Sequence, residues 1–439
     1  MRKRWRSLLL PLLAVLALLV AACGDGEGGD TTEAPGTTAP ETTEAPDTTG
    51  APDTTEAPDT TEPAEMEPIK IGQLSDLTST FTPWGVNVRD GMALAAQEIN
   101  DAGGVDGRMI EIIVQDSENN GEVAATAWDR LVEEGVVAVG GILSSGVSPT
   151  VGPLAEADQI PVFYIKAGTE SPDALNMDSR YTFRTCLPAA PMTPGPVVQY
   201  VTEQGIDTVG VIIADYPWGQ SFGAAVQPAL DAAGVEYGEV QVAPVPPDTD
   251  FTPFVRAMAD AGAEMVIATG HPPGNAAILT LTADLIGDVP VTGAWTPPDL
   301  VVGGLQELAI GRYSDSACAD YSSDSYADLA SRYLEFSDNG FMSDDAVAGY
   351  AIVSMVAEAV GEVGDDPTAI AEYLHANEFD MPGYAHPLAW TEWGELSQSQ
   401  PIFFQITEGP APDGLNDAGD WWIEVLSQSE TLEPYVPGS

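Results

Sequence analysis

From residue 68 onward, short apolar runs alternate with stretches in which apolar residues recur at helical spacing. The clearest unit is VVAVGGILSSGVSPTVGPLAEADQIPVFYIKAGT, Val136 to Thr169. Each half is an apolar run that ends in small polar residues, first Leu143-Ser144-Ser145-Gly146 and then Lys166-Ala167-Gly168-Thr169, with a helix-like segment between. That is a βαβ unit. Both loops of such a unit lie at the carboxyl edge of a parallel sheet, where open α/β folds bind ligands.

The same alternation runs before and after this unit. An apolar strand opens at Pro68, and a helix over Asp90–Ala102 places Met92, Ala95, Ala96 and Ile99 on one face before Gly103-Gly104 ends it. A strand over Met109–Gln115 and a helix over Glu122–Glu134 follow. After a short extended segment, Tyr181–Cys186, the alternation restarts with helices over Val197–Gln204, Phe222–Ala233 and Phe254–Ala261. They are interleaved with strands over Thr208–Ala214, Glu239–Ala243, Met265–Thr269 and Val289–Trp295. An extended piece, Tyr313–Cys318, precedes helices over Tyr326–Phe336, Asp345–Val363 and Pro367–Ala376. Apolar segments near Leu388, Ile402–Ile406 and Trp421–Val425 close the chain. The pattern predicts an α/β protein of two lobes, each built on a mostly parallel sheet with helices on both faces.

Residues 1–67 do not share this pattern. Arg2-Lys3-Arg4 and Arg6 precede an apolar run from Leu8 to Val20 that ends in Ala21-Ala22-Cys23, the order of a targeting segment. Val-Ala-Ala-Cys resembles a bacterial lipobox, which implies a signal peptide over 1–22, cleavage before Cys23 and acylation of its thiol. An ordinary signal peptide is the alternative, and a retained span is disfavoured because the run is shorter than the ~20 residues a comfortable crossing needs. Residues 23–67 then form a tether of Thr, Glu, Asp, Pro, Ala and Gly that has too few apolar side chains to bury a core. At roughly 3 Å per residue it reaches on the order of 100 Å.

Charge narrows the partners. Fourteen basic residues against 68 acidic ones give a net charge of -54, which repels nucleic acid and anionic lipid. No Cys/His cluster has zinc spacing, and neither an EF-hand loop nor a GxxxxGK phosphate loop occurs, so no metal or cofactor is expected. Apart from Cys23, the cysteines are Cys186 and Cys318, for which pairing and two free thiols are both open.

The order and spacing of IKIGQLSDLTSTFTPWG, DGMALAAQEINDAGGVDGRMIEIIVQDSENN, VGGILSSGVSPT, PVFYIKAGTESPDAL, YTFRT, VIIADYPWGQSFG and DTDFTPFVRAMADAGAEMVIATG resemble type I periplasmic solute-binding proteins of ABC transporters, the leucine/isoleucine/valine-binding family. The resemblance covers nearly all of Pro68 to Val436. It implies two Rossmann-like lobes joined by three crossover strands, with ligand held in the cleft and the lobes closing on it. The N-terminal lobe would take residues 68–183 and 316–388, and the C-terminal lobe 184–315 and 389–436. Thr182–Cys186, Ser314–Cys318 and Leu388–Trp393 would be the crossovers. Cys186 and Cys318 then fall on adjacent hinge strands, which favours a disulfide between them.

The family's binding positions map onto Trp84, Ser145, Ala167, Gly168, Thr169, Trp218, His271 and Trp295. Ser145 and Thr169 also stand on their own chemistry. Each precedes an expected helix start, with Pro149 and Pro172 near first-turn positions, so hydroxyls and backbone N–H groups would converge as they do for a carboxylate. Helix capping alone is the plainer account. Lys166 lies beside this loop and would meet an anionic ligand group or pair with one of the many acids. Trp84 and Trp218 would face each other from opposite lobes. One departure concerns the loop Ala294-Trp295-Thr296-Pro297-Pro298-Asp299, which lacks the acid that amino-acid binders place near Trp295 for the ligand ammonium. Either Asp299 substitutes from a shifted position or the ligand lacks that ammonium.

Two other function classes are in play. Gly219-Gln220-Ser221-Phe222-Gly223 matches the G-x-S-x-G elbow of serine hydrolases, with His271, His375 and His386 as bases. In that elbow the serine follows its strand directly, whereas Asp215 to Trp218 intervene here. A ligand-binding sensor on the same fold is the other class, and it would call for a signalling partner. The expected function is a monomeric, lipid-anchored, extracytoplasmic binding protein that passes a small carboxylate-bearing solute to an ABC permease without chemistry.

Overall fold

The computed structural model describes residues 66–438 apart from 246–248, 270–271, 294 and 304. The targeting segment, Cys23, the tether and His271 therefore lie outside the described residues.

Five strands form the first sheet: β1 (Ile69–Ser75), β2 (Ile110–Asp116), β3 (Ala138–Ile142), β4 (Val162–Tyr164) and β5 (Thr182–Arg184), in the order β2-β1-β3-β4-β5. Every pairing in it is parallel. The second sheet takes β6 (Thr208–Ala214), β7 (Glu236–Tyr237), β8 (Gln241–Ala243), β9 (Met265–Ala268), β10 (Val291–Thr292), β11 (Tyr313–Ala317), β12 (Ile402–Glu408) and β13 (Trp421–Gln428). It is parallel from β6 to β11, and β12 and β13 add an antiparallel edge. Both sheets have strands buried on two faces, as βαβ crossovers require.

The helices are α1 (Thr82–Asp101), α2 (Gly121–Glu134), α3 (Ser148–Asp158), α4 (Pro194–Glu203), α5 (Pro217–Ala233), α6 (Thr252–Asp260), α7 (Pro272–Leu285), α8 (Pro298–Val302), α9 (Gln306–Ala309), α10 (Asp324–Phe336), α11 (Asp344–Val363) and α12 (Pro367–Ala376). Helix α11 is apolar all round and long enough to cross a membrane, yet two-thirds of it is buried inside the protein. Its neighbour is α1. The backbones meet through Gly91, where a Cβ would overlap the Ala346 carbonyl, and through Gly349, where one would fall 2.5 Å from the Val88 carbonyl. Helix α11 is thus a core element.

Three expectations change. Helices α1 and α5 begin well before the periodic apolar residues that predict them, because Pro83 and Pro217 preset the first turn. Helices α7, α8 and α9 occupy the segment between β9 and β11, where periodicity predicts only a strand over Val289–Trp295. The third crossover, Leu388–Trp393, is irregular chain held by the isolated bridges Phe379–Leu388 and Trp390–Leu396 and by the Arg184 N–H on the Gly394 carbonyl.

The two extended segments expected at the hinge are β5 and β11. Cys186 and Cys318, each at the carboxyl end of one of them, form a disulfide with Cα atoms 5.2 Å apart.

Candidate functional site

Strands β1 and β6 are each followed by a helix that opens on Pro-Trp-Gly, at Pro83-Trp84-Gly85 and Pro217-Trp218-Gly219. The glycines explain why both tryptophans sit where they do. A Cβ at Gly85 would overlap the Asp76 carbonyl and one at Gly219 the Ala214 carbonyl, so each helix start lies against the end of its strand. The tryptophan one residue earlier is thereby set at the carboxyl edge of its sheet. This repeat was readable in the sequence and was missed there.

The two edges face a common cavity lined by Phe81, Trp84, Leu143, Lys166, Leu187, Tyr216, Trp218, Trp295 and Thr296. Phe81 spans the gap between the two halves, 5.1 Å from the Trp84 ring and 6.2 Å from Tyr216. The enclosed space is about 30 Å³. Solute sites are typically ~300 Å³ or more, so entry of a solute requires the two edges to separate.

Of the residues proposed from sequence, Trp84, Lys166, Trp218 and Trp295 line this cavity, whereas Ser145, Ala167, Gly168 and Thr169 are buried and do not belong to its lining. Gly168 lets the loop pass the Trp218 indole, whose Nε1 would lie 2.6 Å from an added Cβ. Thr169 N–H donates to Ser145 Oγ at 3.2 Å, tying the two loops of the βαβ unit together. That amide therefore does not project toward a ligand. Nor does either residue cap a helix, because α3 is preceded by Val147 without a side-chain cap and residues 172–175 form only a turn.

Residues on β5 and β11 hold the site's loops. Arg184 on β5 is fully buried and donates to the carbonyls of Ala167 and Thr169, the latter at 2.7 Å, while ion-pairing with Glu395 at 3.0 Å. Asp315 on β11 accepts the N–H groups of Trp295 at 2.7 Å and Thr296 at 2.9 Å, together with the Tyr313 hydroxyl at 2.9 Å. Trp295 has a φ of 63°, a conformation costly for a bulky residue, and Asp315 supplies the bonds that stabilise it. Burial pushes Asp315 up to about 7, against the pull of the Thr296 and Trp295 amides. Arg184, Glu395, Asp315, Phe81 and Tyr216 are all absent from the sequence-derived set. Phe81, Tyr216 and Arg184 lie inside or beside the quoted motifs, whereas Asp315 and Glu395 act on residues distant in the chain, Trp295 and Arg184, and no local pattern marks them.

Lys166 is buried and pairs with Asp344 at the start of α11, Nζ to Oδ2 2.7 Å, with Asp345 at 4.0 Å. Its ammonium lies 5.5 Å from the Trp295 ring centre. Burial opposes its charge, but Asp344 and Asp345 outweigh burial and raise its pKa. Asp345 is pushed well above the ordinary carboxylate range, by burial first, with Lys166 acting against it and Asp344 reinforcing it. Asp344 also lies 3.4 Å from the Cys186 sulfur. Cys186, Cys318 and Asp344 cluster closely enough for a metal, but the disulfide removes both thiolates, so they do not suit one. Asp299, the suggested substitute for the missing acid, is half-buried in the first turn of α8 and outside the cavity lining. Burial raises it to about 7.

Ser221 lies inside α5, not at a strand-to-helix elbow. His375 directs its ring nitrogens at the carbonyls of Thr391 and Arg180, 3.1 and 2.9 Å away, and His386 Nδ1 faces Pro387 O at 3.1 Å. No described histidine is therefore bonded to Ser221, and His271 lies outside the described residues.

The comparisons with known proteins agree with this architecture. The family model described as periplasmic binding protein matches residues 68–407. The leucine-, isoleucine-, valine-, threonine- and alanine-binding protein of Pseudomonas aeruginosa is 24% identical over 337 residues, covering 75% of this chain and 87% of that protein. Among solved structures, a fatty acid ABC transporter substrate-binding protein from Thermomonospora curvata superposes with a TM-score of 0.70 at 20% identity, covering 84% of this chain and 92% of that one. A solute-binding protein of an ABC transporter from R. palustris, in complex with benzoate, gives 0.71 at 18% identity, covering 85% and 99%. With a family match over most of its length and the two-sheet fold of the type I proteins, the chain belongs to the periplasmic binding protein family, whose members bind solutes and are not enzymes.

Proposed function

We propose that the chain captures a small carboxylate-bearing solute between its two lobes and delivers it to an ABC permease, held to the outer face of the cell membrane by lipid on Cys23. In this reading the lobes are 68–183 with 316–388 and 184–315 with 389–436, and β5 and β11 lie in the hinge. The relatives support the transport role, and Val-Ala-Ala-Cys before a solvated tether supports the anchor.

The observation that carries the ligand class is the set of donors on the cavity. The indole N–H groups of Trp218 and Trp295 are buried without a partner among the described residues, and Lys166 adds an ammonium with three donors, of which Asp344 takes one. Buried donors without acceptors cost about 1–3 kcal/mol each, a penalty that a bound carboxylate would relieve. Around them, Phe81, Trp84, Tyr216 and the two leucines suit an apolar or planar body. A thermal-shift screen over amino acids, amides, and aliphatic and aromatic carboxylates tests this reading. The melting temperature should rise for a carboxylate. Stabilisation only by neutral or cationic compounds would remove the carboxylate assignment.

A further inference from the structure

Resting on that carboxylate reading, we infer that the cavity selects carboxylates that lack an ammonium group, the des-amino counterparts of apolar and aromatic amino acids, and discriminates against the amino acids themselves. An α-ammonium needs a carboxylate or several carbonyl acceptors in direct reach, because a desolvated cation without them is strongly unfavourable. The described lining has no acid. It consists of five aromatic rings, two leucines, one threonine and Lys166.

No carboxylate belongs to the described lining. Asp344 holds Lys166, and Asp315 accepts the Trp295 and Thr296 amides and the Tyr313 hydroxyl. Asp345 is buried and Asp299 half-buried, and neither lines the cavity. The Thr296 hydroxyl oxygen already accepts from Asn275 Nδ2 at 2.7 Å. An ammonium next to the solute carboxylate would therefore approach Lys166, a like charge. A carboxylate without that neighbour meets the Lys166 side of the cavity with no like charge beside it. The same arrangement explains why the Trp295 loop carries no acid: a cation is already built into the opposite wall, 5.5 Å over the Trp295 ring.

Matched pairs that differ only in the ammonium test the inference on the whole protein. The pairs are 3-phenylpropionate with L-phenylalanine and 4-methylpentanoate with L-leucine, titrated by calorimetry and by the fluorescence of Trp84, Trp218 and Trp295. In at least one pair the des-amino acid should bind tenfold or more tightly than the amino acid. Trp295→Phe keeps the ring but removes one donor, and should weaken the des-amino acid about tenfold, as loss of a hydrogen bond to a charged group does. If in both pairs the amino acid binds as tightly as its partner, or more tightly, the inference is overturned and the carboxylate reading stands. If no member of either pair binds, both fall. Unchanged affinity in Trp295→Phe also overturns it, because the donors would then not hold the carboxylate.

Discussion

Lys166 is the residue on which the charge of the site turns. It stood out in the sequence as one of three lysines beside a ligand-facing loop, and it does line the cavity. Its partner was not legible, because Asp344 lies 178 residues away and only the packing of α11 under the β4 loop brings them together. Replacing Lys166 by Met leaves Asp344 and Asp345 buried without a counter-charge. Denaturant unfolding should show a loss of about 3–5 kcal/mol, and Lys166→Met with Asp344→Leu should recover much of it. Asp315 carries the second prediction. Asp315→Asn keeps the shape but offers one acceptor oxygen where two amides, Trp295 and Thr296, need two. It should cost about 1–3 kcal/mol of stability and shift the Trp emission spectrum as the Trp295 loop relaxes. An unchanged spectrum and affinity would show that the loop does not depend on β11. Ser145 teaches the opposite lesson: its hydroxyl was identified, but its role, bracing the Thr169 amide, came only with the structure.

At the scale of elements, periodicity located most strands and helices, because each buries a regular apolar face. It misplaced the starts of α1 and α5, where Pro and Gly set the geometry and the tryptophans are polar-site residues instead of stripe residues. It also missed the short helices between β10 and β11, whose burial is not periodic. The disulfide between the ends of β5 and β11 was open on spacing alone and favoured only through the family resemblance. It closes a separation of 132 residues, so a Cys186→Ser, Cys318→Ser protein should lose roughly 5 kcal/mol by chain entropy. Urea unfolding of that variant beside the wild type, with a non-reducing peptide map of the latter, checks both the energy and the bond. Equal midpoints would mean that the hinge is held by Arg184, Glu395 and strand pairing instead.

Over the whole molecule, the net charge of -54 and the buried carboxylates act in the same direction. Burial raises Asp299 and Asp315 to about 7 and Asp345 well above its ordinary value, so each binds a proton more tightly in the folded protein. Their contribution is fully present below the unfolded carboxylate value of about 4 and is lost as pH rises through about 7. Asp116, which hydrogen bonds lower against the opposing effect of desolvation, works the other way, at pH values below the ordinary carboxylate range. Self-repulsion also eases on acidification. The melting temperature should therefore be higher at pH 5.5 than at pH 8, and a lower value at pH 5.5 would contradict these assignments. Capture of the solute between the two aromatic edges can be read by calorimetric titration. With 3-phenylpropionate as the solute, the wild-type protein should bind at a single site, and Trp84→Ala and Trp218→Ala should each weaken binding tenfold or more. Binding unaffected by either substitution would place the solute elsewhere and contradict the account.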